Sequence, residues 1–150
     1  MRLVIQRVTE ARVRVGTRVT GEIAHGLLVL VGVGMGDGPD DVRYAAHKIR
    51  DIRLFEGDQG KGLDRSVIDV GGRVLLVSQF TLYGDVRKGR RPSFIGAAPP
   101  EAARALYEAL VRELRQVEVP VETGEFQATM RVELVNDGPV TIVIDSRHQS

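Results

Sequence analysis

"GLLVLVGVGMGDGPDD" (residues 26–41) sets two kinds of fold against each other. Its first half is apolar on both faces, as a buried central strand is. Glycines then cluster ahead of a helical pattern, the order found in a dinucleotide-binding unit. The spacing refuses that reading. Gly32, Gly34, Gly36 and Gly38 alternate, so no G-x-G-x-x-G can be laid on them, and no G-x-x-x-x-G-K-[ST] follows. The run is expected to be a strand-to-helix loop.

Outward from this point the chain reads as strands with two helices. Upstream, Val13 and Val15 alternate with Arg12 and Arg14, and Gly16-Thr17 offers a two-residue hairpin turn. Downstream, Val42, Ala45, Ala46, Ile49 and Ile52 fall at helical spacing, with Asp40 or Asp41 as the expected cap. "RVLLVSQFTLY" (73–83) reads as a second apolar strand. "PPEAARALYEALVRELRQ" (99–116) reads as a second helix, with Leu106, Leu110 and Leu114 on one face. β patterning returns through Glu125–Leu134 and Val140–Asp145. Many strands and two unevenly placed helices predict an α+β fold with antiparallel character.

"LVNDGPVTIVID" (134–145) is a strand interrupted by Gly138 and Pro139. Proline has no amide hydrogen to give a ladder, so an edge, a bulge or a turn is expected there. A cis Gly138–Pro139 peptide at the entrance to a pocket would hold such a bend, because the cis form costs little only before proline.

Bulk composition narrows the chemistry. The 150 residues fit one domain, 1–150, and are enough to bury a core. The absence of cysteine excludes disulfides, thiolate nucleophiles and cysteine-held zinc. The arginine-studded N-terminus reads as no signal peptide, and "LLVLV" (27–31) is far short of a membrane span. His25, His47 and His148 lie far apart, outside any metal-binding spacing, and read as ordinary surface or loop residues. Ser78 lacks a G-x-S-x-G elbow. With a net charge of +1, affinity for nucleic acid has to come from a local patch. "VRKGRRPSF" (86–94) supplies one: Arg87, Lys88, Arg90 and Arg91, with a weaker addition from "GKGLDR" (60–65).

"SQFTLYGD" (78–85), "RRPSF" (90–94) and "NDGPVT" (136–141), in this order and spacing, resemble the D-aminoacyl-tRNA deacylases of the bacterial and eukaryotic type. The likeness runs from "IQRVTEARV" through "TGEIAHGLLVLVGV" to "TGEFQATMRVELVNDGPVT". It implies a layered β/β/α domain with mainly antiparallel or mixed sheets, a homodimer, a cytoplasmic setting, and neither metal nor cofactor. The implied reaction is hydrolysis of the ester joining a D-amino acid to the 3′-terminal adenosine of tRNA. Ser78, Gln79, Phe80 and Thr81 would line the catalytic pocket, with backbone amides near Phe80 and Thr81 facing the ester carbonyl. Met130 would lie beside the adenosine. Gly138 and Pro139 would form a chiral filter reaching into the partner's site, and Arg87, Lys88, Arg90 and Arg91 would bind tRNA. Either Thr81 is the nucleophile or the tRNA's 2′-hydroxyl assists water. No base is signalled beside Thr81, which favours the second. Two stretches depart from the family pattern. "GKGLDRSV" (60–67) stands where a GKMN-like run is usual, and Gln127 stands among commonly small positions, where it is expected to alter the pocket rim. A non-catalytic nucleic-acid-binding module using loop 87–91 is the rival reading, and a nucleotide-binding enzyme resting on the glycine run is a weaker third.

Overall fold

The computed structural model describes residues 1–60 and 62–147. Lys61, part of the weaker basic stretch, and His148 lie outside the described residues. A long first strand, β1 (Arg2–Val15), turns at Gly16-Thr17 into β2 (Arg18–Ile23) and continues into β3 (Gly26–Gly32). Helix α1 (Pro39–Asp51) follows, then a small hairpin of β4 (Phe55–Glu56) and β5 (Leu63–Arg65). After β6 (Arg73–Ser78) come α2 (Pro100–Gln116), β7 (Val121–Thr123) and β8 (Arg131–Asp145). The main sheet runs β2-β1-β3-β6-β7, with β8 on the other edge of β1. β3–β6 and β6–β7 are parallel and the other pairs in this sheet antiparallel, so the sheet is mixed. It curls almost closed: a Cβ on Gly21 of β2 would stand 2.3 Å from the Thr123 carbonyl oxygen of β7.

Two cores follow from the curl. Leu27, Val29, Val31, Val74 and Leu76 point to the helices, meeting Val42, Ala45, Ile49, Leu110 and Leu114. Leu28, Leu75 and Val77 on the opposite face pack with Val8, Ala11, Val13 and Ile23. β3 and β6 are therefore buried on both faces, which is why they read as unbroken apolar runs. Leu3 and Ile5 of β1 belong to the helix-side core and Ala11 and Val13 to the other, so β1 crosses between the two near Arg7.

Three expectations change. The N-cap of α1 is Gly38, with Pro39 at the first turn; Asp41 reaches back to accept the Gly38 N–H at 2.9 Å instead of standing at the cap itself. The apolar run 73–83 is not one strand: β6 ends at Ser78, and Phe80–Tyr83 forms a single 3-10 turn. Residues 125–130 are a turn and loop, while β8 runs through Gly138 and Pro139.

The alternating glycines have a packing reason. A Cβ on Gly34 would lie 2.6 Å from the Tyr83 ring, and one on Gly32 would lie 3.0 Å from the Gln79 carbonyl oxygen. The 79–83 turn thus rests directly on the backbone of the glycine run. Arg2 holds the same turn from behind, donating from Nη1 to the Leu82 carbonyl at 2.9 Å and lying 4.4 Å over the Tyr83 ring. The loop after β3 is fixed by a fully enclosed ion pair, the Met1 ammonium on Asp37 Oδ2 at 2.8 Å. Asp37 also accepts the Gly34 N–H at 2.7 Å. This loop bonds in turn to the 96–98 segment, through Met35 N–H to Gly96 O (2.9 Å) and Ala98 N–H to Val33 O (3.0 Å). Among the described residues no helix is long and apolar enough to cross a membrane.

Gly34→Ala is expected to lower unfolding free energy by roughly 1–3 kcal/mol, since the added methyl overpacks a ring held on its far side. Gly38→Ala, where a Cβ meets nothing within 4 Å, is expected to cost only the poorer N-cap, about 0.5–1 kcal/mol. Equal urea midpoints for the two variants would contradict this account of the glycine run.

Candidate active site

Where β6 gives way to the 3-10 turn, the space between the sheet and α2 opens into a cavity of about 740 Å³. Its floor is Val31, Val33 and Val77, and the lining carries Ser78, Gln79 and Phe80. The lining also has an apolar and aromatic part, formed by Tyr107 of α2 with Phe126, Ala128 and Met130. Ala97, Ala98 and Pro99, positioned by the glycine-run loop, close the α2 side. Phe80 and Phe94 meet edge-to-face at the mouth, with ring centroids 5.0 Å apart.

Among the described residues no His, Asp, Glu or Lys lines this cavity. Its one phenol is no base either: burial pushes the Tyr107 pKa up, and the hydroxyl donates to the Leu76 carbonyl at 2.8 Å. Tyr83, behind the turn, is also raised, first by burial and then by the nearby Asp37 and Asp145 carboxylates. Thr81 faces only the Gln79 carboxamide, whose Nε2 donates to its Oγ1. Among the described residues no three His, Cys, Asp or Glu side chains gather as a metal site.

Of the residues singled out in the sequence, Ser78, Gln79, Phe80 and Met130 line the cavity; Thr81 is one bond away through Gln79. Gly138 and Pro139 do not line it. They protrude from β8 where the ladder with β1 skips, Gln6 pairing Thr141 and Val8 pairing Asn136, so that four residues stand opposite Arg7. The Gly138–Pro139 bond is cis, and Gly138 has φ 141°, a conformation that favours glycine. Asn136 spans the base of the bulge, its Oδ1 accepting the Val140 N–H at 2.8 Å. Beneath it lies Arg7, buried, donating from Nε to Asp137 O at 2.9 Å and from Nη1 to Leu54 O at 2.8 Å.

Arg7 and Asn136 were missed by the sequence reading, as was the aromatic wall of Tyr107 and Phe126. For Arg7 a signal existed. Leu3, Ile5 and Arg7 share one face of an alternating strand, and an arginine on an inward face calls for buried acceptors.

The basic loop divides. Arg87 is bound to Asp85 by both guanidinium and backbone N–H, and no carboxylate among the described residues stands within ion-pair distance of Lys88, Arg90 or Arg91. Arg87 thus enters the loop already paired, while Lys88, Arg90 and Arg91 carry no such partner among the described residues.

Arg7→Met is expected to destabilise the fold by roughly 2–4 kcal/mol in urea unfolding, because two carbonyls lose charged donors in a dry place. Arg7→Lys should recover little of it, since a single ammonium cannot span both carbonyls. Full stability in Arg7→Met would remove Arg7 from its supporting role. Asp85 titrates with a pKa of about 2, held down first by the Arg87 side chain and then by its N–H. Its folded value lies below the unfolded ~3.9, so the Asp85–Arg87 link is complete above that pH and lost as pH falls through 2. Arg87→Ala should return the carboxyl midpoint, followed by NMR, towards ~3.9.

A family model described as D-Tyr-tRNA(Tyr) deacylase matches residues 4–145. A D-aminoacyl-tRNA deacylase of Heliobacterium modesticaldum is 60% identical over 147 residues, covering 98% of this chain and 97% of its own. Among solved structures, the c-Myc DNA unwinding element binding protein superposes with a TM-score of 0.92 at 39% identity, over 97% of this chain and 98% of that one. A structure described as a probable eukaryotic D-amino acid tRNA deacylase shares the fold, with a TM-score of 0.77 at 17% identity, over 95% of this chain and 97% of that one. With 142 consecutive positions spanned by the family model (residues 4–145) and a relative this similar across nearly its whole length, the chain belongs to the D-Tyr-tRNA(Tyr) deacylase family.

Proposed function

We propose that residues 1–150 act as one deacylase domain that hydrolyses the ester of D-aminoacyl-tRNA, releasing the free D-amino acid and tRNA. One observation carries the mechanism: the cavity is lined by the polar Ser78 and Gln79 and by the aromatic and thioether groups of Tyr107, Phe126 and Met130, and by no carboxylate, imidazole or amine among the described residues. Such a site works by positioning and by dipoles. The leading N–H groups of a 3-10 turn have no partner within it, which leaves the Phe80 and Thr81 amides for the oxyanion that forms on the ester carbonyl. Water adds to that carbon, the bond to the 3′ oxygen breaks, and the 2′-hydroxyl relays the proton from the water to the leaving oxygen. Thr81 orients Gln79 and is not acylated. The scheme uses no metal and no cofactor.

Gly138 and Pro139 serve as a chiral filter in this reading. They project from β8 and do not enter their own chain's cavity, so they act in the cavity of a second copy. The homodimer also accounts for apolar surface left open on one chain, including Val143 at 73% exposure beyond the bulge and Ile95 at 87% beside the mouth. Met130 packs against the terminal adenosine. Lys88, Arg90 and Arg91 hold tRNA phosphates, with Arg87 fixed by Asp85. A tRNA substrate places the enzyme in the cytoplasm. A pure nucleic-acid-binding module fits less well: of the seven Phe and Tyr residues only Phe80 is exposed, and such a module needs several open stacking faces.

The test is turnover of matched D- and L-aminoacyl-tRNA. The D-ester is expected to be cleaved and the L-ester largely spared, with activity surviving exhaustive chelation. Thr81→Val should slow kcat by no more than about 10-fold, the worth of one hydrogen bond, and a substrate ending in 2′-deoxyadenosine should react poorly. Equal cleavage of both esters would refute the chiral role. An aminoacyl ester trapped on Thr81 would replace the substrate-assisted scheme with a nucleophilic one.

A further inference from the structure

Gln127 sits where a glycine is expected. The turn at 125–128 closes with the Ala128 N–H donating to the Glu125 carbonyl at 3.2 Å, and Gln127, its third residue, has a φ of 64°. That position of a hydrogen-bonded turn is ordinarily held by glycine or asparagine, and a longer side chain there is strained. Strain of this kind persists where surrounding contacts hold it, and it concentrates at ligand sites. Gln127 is exposed and lies at the lining of the cavity. Its Oε1 accepts a hydrogen bond from Arg104 Nη2 at 3.3 Å. Arg104 is itself fixed, lying 4.7 Å over the Phe126 ring and 3.9 Å from Glu108. The carboxamide is thereby oriented through its oxygen, while its NH2 has no hydrogen-bond acceptor among the described residues.

The cavity lining also includes Phe126, Ala128, Met130 and Tyr107. Flat, polarizable and dry, this part suits the face of a nucleobase, whose edge then presents hydrogen-bond acceptors to a donor on the rim. We infer that Gln127 is a specificity-determining residue, its carboxamide NH2, aimed by Arg104, donating to the edge of the 3′-terminal adenine while Phe126 and Met130 pack against the face. This rests on the deacylase reading and adds to it a contact made by the Gln127 side chain. Of the two ends of the substrate, Gln127 then reads the nucleotide and not the amino acid.

Two variants separate contact from strain. Gln127→Ala removes the carboxamide and keeps the backbone constraint; Gln127→Gly removes both. Each is expected to weaken binding of free adenosine, measured by calorimetry, by roughly 3- to 10-fold, and to raise the KM for D-aminoacyl-tRNA by a similar factor with most of the loss outside kcat. Gln127→Gly should in addition raise Tm by about 2–4 °C as the left-handed position is relieved. Adenosine affinity within twofold of the wild type in both variants overturns the inference, as does a wild-type chain that fails to bind adenosine. A gain in Tm without any change in KM likewise assigns Gln127 to the turn alone. Failure of the wild type to cleave D-aminoacyl-tRNA would instead strike the deacylase reading, and the calorimetry reads independently of it.

Discussion

β1 is hydrogen-bonded along both edges, and most of the architecture follows from that. On one side it pairs first with β3 and then with β2; on the other it pairs with β8 from Arg2 to Arg14, with breaks at Arg7 and Thr9. From Arg2 to Val8 β1 is held on both sides, so the extra residues around the proline are taken up by β8 and bulge outward. The four residues opposite Arg7 are expelled in this way, and the cost of ending two carbonyls in a dry place is met by one guanidinium. The same point is where β1 passes from the helix-side core to the second core. A local accident in the ladder, a buried cation and the change of core are one structural event.

The proposed catalytic part of the cavity depends on a second constraint, the close approach of a turn to a strand. β6 cannot continue past Ser78, because Gln79 to Tyr83 fold down onto Gly32 and Gly34. That descent leaves the cavity open between the sheet and α2. It also turns the leading amides of the 3-10 turn out of any ladder, where the β-strand reading had them engaged. Tyr83 and Tyr107 are both raised above their ordinary phenol range, so neither phenol takes part as a base near neutral pH, and no carboxylate, imidazole or amine among the described residues lines the cavity. Backbone dipoles held rigidly by Arg2 from behind and the glycine run from below are then the available means of stabilising negative charge.

Much of this was legible in the chain. The two doubly buried strands, the hairpin at Gly16-Thr17, both helices and the interruption at Gly138 followed from periodicity and turn chemistry. Gln79 to Tyr83 were misread because Phe80 and Leu82 continue the apolar composition of β6, and composition does not record that Gly34 offers a seat to Tyr83 some fifty residues away. Asp40 and Asp41 were expected at the cap of α1 by residue type; the Pro39 that follows Gly38 decides the matter by fixing the first turn one step earlier. At the site, motif residues located the polar part. The aromatic part was invisible because Tyr107 and Phe126 meet only in the folded chain, and because the left-handed backbone at Gln127 contradicts its residue type.

The division of the proposed site between two chains has a thermodynamic consequence. Gly138 and Pro139 are rigidly supported within their own chain, by Arg7 below and Asn136 across the base, yet they are absent from the cavity of that chain. Support of this quality is wasted on a loop that meets only solvent, whereas a wall that excludes one enantiomer has to be stiff, since a yielding wall would let the L side chain in at the cost of a small displacement. If the wall belongs to the neighbour, the cavity in an isolated chain is open on the side where chirality is judged. Chiral selection and assembly are then linked through mass action. A separated chain keeps the Ser78–Thr81 turn, held by Arg2 and the glycine run, but loses discrimination, so dilution below the dimer dissociation constant erodes selectivity for the D-ester before it erodes the geometry of the hydrolytic end.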